Sequence, residues 1–258
     1  MTGDVRVHVA SANTRPVTEL CVRSMRRFAG RDFDLVVGDG GSLDGSIRML
    51  RRLERAGFLE LEVSSWWQQH TEWLDGWLAT CEARYCVFSD SDVEFRAHGW
   101  LSDMVSTAEQ TCAAIVTVAS LPEQPGYRHP TTHRLMRVAA RPAVWLMLVD
   151  AERLRSLGVS FAARIDERAD LPEGAISYDT GALMTAAAEA AGLGVVAMPD
   201  GWHKAHHFGS LSWIRSLRGR EARDAARKTA LIRLRLMAYR VVWRTPPTRQ
   251  PALARRAP

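Results

Sequence analysis

The 258-residue sequence predicts an α/β fold: a mostly parallel sheet flanked by helices, with a basic helical extension at its C-terminal end. Three observations carry that reading. Short β-rich apolar runs alternate with segments of helical periodicity over residues 5–121. The second and fourth runs end in turns rich in Gly, Ser and Asp. Charge is also divided unevenly, with a net −6 over residues 1–212 and +11 over residues 213–258.

The elements follow in order. Val5 to Val9 is a strand, and Leu20 or Cys21, Met25 and Phe28 then fall at helical spacing. Phe33 to Val37 is a second strand, followed by the turn Gly38-Asp39-Gly40-Gly41-Ser42. Ile47, Leu50 and Leu53 mark a helix that stops near Gly57, with Asp44 expected as its N-cap. Leu59, Leu61 and Val63 alternate as a strand. Thr71 is the expected cap of a helix bearing Leu74, Trp77, Leu78 and Cys81 on one face. Tyr85 to Phe88 is a fourth strand, and Cys112 to Leu121 and Ala143 to Val149 read as buried strands. Between the last two, Pro122 to Arg141 reads as a long loop; further on, Phe161 to Ser177 reads as irregular and polar. Ala151 to Leu157 and Thr180 to Ala191 read as helices, and Val195 to Met198 as the last strand. Residues 213–243 form an expected long helix, with a frayed tail from Pro246 to Pro258.

Composition excludes several classes. Hydrophobic residues at 47% and charged residues at 24% support a buried core and argue against disorder. No apolar run reaches the roughly 18–20 residues of a membrane span. The start lacks the basic and apolar regions of a secretory signal. Cys21, Cys81, Cys86 and Cys112 form no zinc-spaced set, so four reduced cysteines packed as small apolar residues are expected, as suits a cytoplasmic chain. Nearly all cations are Arg, with only Lys204 and Lys228 as lysines. Arg can signal phosphate binding, but codon bias in an Arg- and Ala-rich chain is the favoured account of that preference.

Two constellations carry chemistry. Asp90-Ser91-Asp92 leaves the fourth strand with two carboxylates able to reach one divalent cation, although the tripeptide alone is an ordinary turn. Val36 to Ser46 is a glycine-rich strand-to-helix turn in which Asp39 could accept a hydrogen bond from a ligand. It fits neither a P-loop nor a dinucleotide fingerprint.

Together these segments resemble family 2 glycosyltransferases of the GT-A fold, whose sheet is Rossmann-like. Asn13, the run Asp39 to Ser46 and the Asp90-Ser91-Asp92 motif match in order and separation; Trp145 to Gly158, Ser177 to Thr180 and His203 to Gly209 match more loosely. The resemblance covers residues 5 to about 212. It implies a catalytic domain over 1–212, with a nucleotide-sugar-binding half (1–121) and an acceptor-binding half (122–212), followed by the extension 213–258. It further implies that Ala10, Ser11, Asn13, Asp39, Gly40, Asp90 and Ser91 bind the donor, that Asp39 holds the base, and that Asp92 coordinates the metal at the diphosphate. Asp179 would be the catalytic base, with Tyr178 standing where the family usually has an acid. The implied activity is a hexosyltransferase-type transfer from a nucleotide-diphosphate sugar, with inversion. A lone helix cap is the competing role for Asp179, and Asp166, Glu167 and Asp170 are the next carboxylates.

His203, His206 and His207 supply a possible further ligand, His206 and His207 before His203; imidazole would tilt the choice of Mn²⁺ or Mg²⁺ toward Mn²⁺. A packed or solvated histidine turn is the plain alternative. Trp66 or Trp67 could stack on substrate, although most Trp residues pack in cores, and His129 and His133 are expected to be exposed.

The basic helix carries Ile214, Leu217, Leu231, Leu234, Met237, Val241 and Val242 among nine Lys/Arg. An anionic membrane could receive it, which would make the chain peripheral at the inner membrane face. Packing of this stripe on the body or a second subunit is favoured, because Ala222, Ala225 and Ala226 offer little to insert. The acceptor could be a glycan, a lipid-linked molecule or a specialised metabolite. A nucleotidyltransferase of similar fold and a non-catalytic nucleotide-binding partner subunit are the alternatives. The acidic body argues against nucleic acid.

Overall fold

The structure is a computed structural model, and it describes residues 4–66, 68–128, 133–209, 211 and 219–242. Trp67, His129, Ile214 and Leu217 within residues 213–218, and the tail from Pro246 lie outside the described residues.

The expected alternation is present. β1 (Val5–Ser11), α1 (Arg15–Phe28), β2 (Asp34–Asp39), α2 (Ser46–Arg55), β3 (Glu60–Val63), α3 (His70–Thr80) and β4 (Tyr85–Asp90) follow one another. The chain continues through β5 (Val93–Phe95), α4 (Trp100–Thr111), β6 (Ala113–Thr117), β7 (Ser120–Leu121), β8 (Gln124–Arg128), β9 (Leu135–Val138), β10 (Arg141–Pro142) and β11 (Leu146–Asp150). It ends with α5 (Ala151–Arg155), β12 (Arg164–Glu167), β13 (Ala175–Tyr178), α6 (Ala182–Ala190), β14 (Gly194–Ala197), α7 (Gly201–Lys204), β15 (Ala205–His207) and α8 (Gly219–Val242).

Two compact units result. In the first, Met1–Gln68 joins Ser89–Ser102 and Trp202–Pro258. Here β1, β2 and β3 pair in parallel, so Ser11, Asp39 and Val63 stand side by side at their carboxyl ends. α1 buries Leu20, Cys21 and Met25 as its periodicity requires. In α2, Met49 takes the buried place expected for Ile47. β5 and β15 pair antiparallel, setting His207 opposite Val93 and His206 opposite Glu94. α8 packs on α1 through Ala225, Ile232, Leu236 and Tyr239, which meet Val17 and Leu20. The stripe expected to make that contact is not the one used: Leu231, Leu234, Met237 and Val241 are exposed.

The second unit, Gln69–Phe88 with Asp103–Gly201, pairs β6 in parallel with β14 and antiparallel with β11. α3 buries Leu74, Trp77, Leu78 and Cys81. Its N-cap is Gln69 rather than Thr71: the Gln69 side chain and Glu72 form a reciprocal capping box. Arg155 then donates to the carbonyls of Leu78 and Cys81 at the helix end, at 3.1 and 2.7 Å.

Two segments expected to be irregular are strands. β12, β13, β9 and β8 form a four-stranded sheet across Pro122 to Arg141 and Phe161 to Ser177. β8 is exposed almost throughout, so it lacks the alternation that marks a half-buried strand. β12 carries three charged residues in four, and Arg164 pairs with Asp166 at 2.6 Å on one side of the strand. Cys112 also departs from expectation, being exposed at a left-handed position.

Candidate functional site

The glycine-rich turn and the β1–α1 turn lock each other. The Ser42 N–H and hydroxyl donate to the two Asp39 carboxylate oxygens at 2.7 and 2.8 Å. The Asn13 N–H donates to Ser42 Oγ at 2.7 Å, and Asn13 Oδ1 accepts from the Leu43 N–H at 2.9 Å. The Gly40 N–H reaches the Ser11 carbonyl. Asp44 is not itself the N-cap; Gly45 holds that position at φ +88°, a conformation that suits glycine. Asp44 instead accepts from the N–H of Arg15 and of Ser46, serving the first turns of both α1 and α2.

The expected donor residues therefore meet at one edge of the first unit, though several side chains are already engaged. Ser11 Oγ lies 3.3 Å from Thr18 Oγ1, and Ser91 Oγ 2.9 Å from Thr14 Oγ1. Ala10 is half-buried, and Gly40 is buried. Asp39 is wholly buried; burial raises its pKa, against the lowering effect of the Ser42 hydrogen bonds. Each carboxylate oxygen still has a lone pair for a ligand donor. Trp66, after β3, is exposed.

Beside this edge stands a carboxylate–imidazole cluster. One ligand atom from each of Asp90, Asp92 and His207 lies within 4.8 Å of the others. His207 Nε2 is 3.0 Å from Asp92 Oδ1 and 3.6 Å from Asp90 Oδ2. The pairing of β5 with β15 builds the cluster, and the Phe208 N–H donating to the Asp92 carbonyl at 2.9 Å fastens it. Burial disfavours the charged imidazole, but the Asp92 hydrogen bond and both carboxylate charges outweigh it, and the His207 pKa is raised. His206 points elsewhere, its ring 4.9 Å from and edge-on to Phe208; burial, then the Arg96 charge, lowers its pKa. His203 is exposed on α7.

This donor set fits a divalent cation. Two hard carboxylate oxygens and one imidazole nitrogen converge, with His207 Nε2 at hydrogen-bond distance from Asp92 Oδ1. Cation binding requires the His207 nitrogen unprotonated, so it would compete with protonation of the imidazole.

In the second unit, Asp179 borders a cavity of about 500 Å³ lined also by Tyr127, Arg141, Arg164 and Ser177. Arg141 Nε is 3.1 Å from Asp179 Oδ2, and the Thr180 N–H donates to Oδ1 at 2.9 Å. The chain turns sharply at Gly181, at φ +76°, where a Cβ would lie 2.6 Å from Val144 Cγ1. Gly181, not Asp179, occupies the N-cap position of α6. Asp166 and Asp170 are paired with Arg164 and Arg168, and Glu167 with Arg134.

Sequence reading missed Thr14, Glu94, Lys228, Arg235 and Arg141. Glu94 is buried beside Asp92, salt-bridged to Arg96 at 2.9 Å and to Arg235 of α8. Lys228 Nζ holds the Phe208 carbonyl at 2.7 Å. The available signal was a carboxylate within an apolar strand, Val93-Glu94-Phe95, which demands a buried cationic partner.

No curated protein matches the sequence. Among solved structures, the chain is similar to the mannosyltransferase PcManGT from Pyrobaculum calidifontis in complex with GDP-Man and Mn²⁺. The identity is 19% and the TM-score 0.57, with 84% of this chain and 61% of that one covered. S. aureus TarS 1–349 is similar at 15% identity and TM-score 0.46, over 70% of this chain and 58% of that one. The first likeness establishes a shared fold, the mixed α/β GT-A architecture with its mostly parallel sheet. The family model described as glycosyl transferase family 2 matches residues 7–166, more than half of the sequence, and the chain belongs to that family.

Proposed function

We propose that the protein is a metal-dependent glycosyltransferase that moves a sugar from a nucleotide-diphosphate donor to an acceptor hydroxyl or other nucleophile, with inversion. The carrying observation is the convergence of Asp90, Asp92 and His207 beside the Asp39 turn in a family 2 chain. PcManGT, the relative with the shared fold, is described with GDP-Man and Mn²⁺. Asp92 and His207, with Asp90, would hold Mn²⁺ or Mg²⁺, the imidazole favouring Mn²⁺. A bound cation supplies positive charge to a departing diphosphate.

The chain's own residues do the rest. Buried Asp39 accepts hydrogen bonds from the nucleobase edge, held by Ser42 against swinging away. Asn13 and Gly40 keep the two turns at a fixed separation, so the donor meets a preformed edge. Asp179 accepts the acceptor proton as general base, and Arg141 and the Thr180 N–H fix its two oxygens. A single in-line displacement then inverts the anomeric carbon. The catalytic region corresponds to residues 1–212, acting in the cytoplasm on a glycan, lipid-linked or small-metabolite acceptor.

The test is product identification after incubation with UDP- and GDP-sugars and Mn²⁺. Release of the nucleoside diphosphate supports this reading. Release of pyrophosphate supports a nucleotidyltransferase, and binding without turnover supports a non-catalytic subunit.

A further inference from the structure

α8 has two apolar sides, and the fold uses one. Ile232, Leu236 and Tyr239 are buried against α1, whereas Leu231, Leu234, Met237 and Val241 are 42%, 62%, 55% and 70% exposed. Of the ten exposed large hydrophobic side chains among the described residues, four lie on this one helix. Leu231, Leu234, Ala238 and Val241 recur every three or four residues, which places them along one outward strip with Met237 beside it.

Beyond Asp224, which pairs with Lys228 at 3.1 Å, the charges along that strip are of one sign. No acidic residue occurs from Ala225 to Val242, where five Lys/Arg stand. Arg235 and Arg240 are committed inward, to the buried Glu94 and Glu19, and this fastens the helix to the body. Arg227 and Arg233 are exposed on the outward side and have no carboxylate partner among the described residues.

We propose that this outward face of α8 docks on an anionic lipid surface, with the apolar strip entering the headgroup boundary and Arg227 and Arg233 meeting lipid phosphates. A second copy of the chain is the poorer occupant. Antiparallel or parallel self-pairing would set arginines against arginines with no carboxylate on this stretch to answer them. An anionic bilayer offers both the apolar layer and the opposite charge. The inference stands apart from catalysis and holds whether or not the chain transfers sugar.

The full-length protein is co-sedimented with equimolar phosphatidylglycerol–phosphatidylcholine vesicles and with phosphatidylcholine vesicles, at low and high salt. Binding is expected only to the anionic vesicles, and it weakens with salt. The double variant Leu234→Asp, Val241→Asp is expected to bind about tenfold or more weakly, and Arg227→Glu, Arg233→Glu similarly. Melting stays unchanged in both, because the altered side chains are exposed. Three results overturn the proposal: no binding to anionic vesicles at low salt; wild-type binding by the Leu234→Asp, Val241→Asp protein; or a concentration-dependent dimer in sedimentation velocity that this variant abolishes while lipid binding is absent.

Discussion

Asp92 and Asp179, the two carboxylates that the proposed function uses, live in opposite surroundings. Asp92 is 4% exposed, and its carbonyl and carboxylate are each held, by the Phe208 N–H and by His207. The Asp179 side chain is 51% exposed, held by one guanidinium and one backbone N–H at the rim of an open cavity. Asp92 is buried and Asp90 beside it half-buried, and a buried carboxylate is costly unless a cation answers it, a place that His207 fills and that the proposed divalent cation would take. The second region keeps its carboxylate accessible, as the proposed role of proton acceptor for an incoming hydroxyl requires.

Breaking the first region should cost most. Asp92→Ala is expected to lower transfer by more than about a hundredfold, with Asp90→Ala weaker because Asp90 lies farther from His207. Steady-state rates in saturating Mn²⁺ check the order, and equal losses would remove the distinction. Asp179→Asn comes next: transfer falls at least about a hundredfold while donor binding and melting are retained. Retained activity within a few-fold would move the base elsewhere. Arg141→Ala should share that loss in part, since it removes one of the two contacts that fix Asp179.

Asp39→Asn separates stability from binding. The folded-state pKa of Asp39 is raised, so its contribution is fully present below about pH 3.9 and is lost as pH rises through the folded value. Ionised Asp39 therefore weakens the fold at neutral pH. The Asn variant, still able to meet Ser42, is expected to melt at the same or higher temperature at pH 7, with the difference vanishing in acid. Its donor affinity is expected to drop about tenfold, the worth of a charged hydrogen bond. A lower melting temperature at pH 7 would contradict the sign. Smallest is Arg168→Ala: its ion pair with Asp170 is solvated, and neither melting nor transfer should move.

How far the sequence could be read follows the same contrast. β1 to β4 announce themselves because apolar runs alternate with helical periodicity, and Asp39 and Asp90 sit at strand ends where turn residues gather. The pairing of His207 with Asp92 lies 115 positions apart in the chain and depends on β15 lying against β5, which no local pattern encodes. The sheet around Asp179 was hidden for a different reason. β8 and β12 are exposed almost throughout, so their order comes from cross-strand hydrogen bonds and arginine–carboxylate pairs instead of burial. α8 was read as a single apolar stripe, because its buried residues and its exposed ones both recur at helical spacing.

The central claim is that Asp90, Asp92 and His207 form a divalent-cation site through which a nucleoside diphosphate is held. Isothermal titration of UDP and GDP into the chelator-treated protein, with and without Mn²⁺, tests it directly in wild type and in Asp92→Ala. The account predicts binding of at least one nucleoside diphosphate by the wild type that requires Mn²⁺, and loss of that Mn²⁺-dependent binding in Asp92→Ala. Equal affinity in excess chelator, or Mn²⁺-dependent binding undiminished by Asp92→Ala, would contradict it.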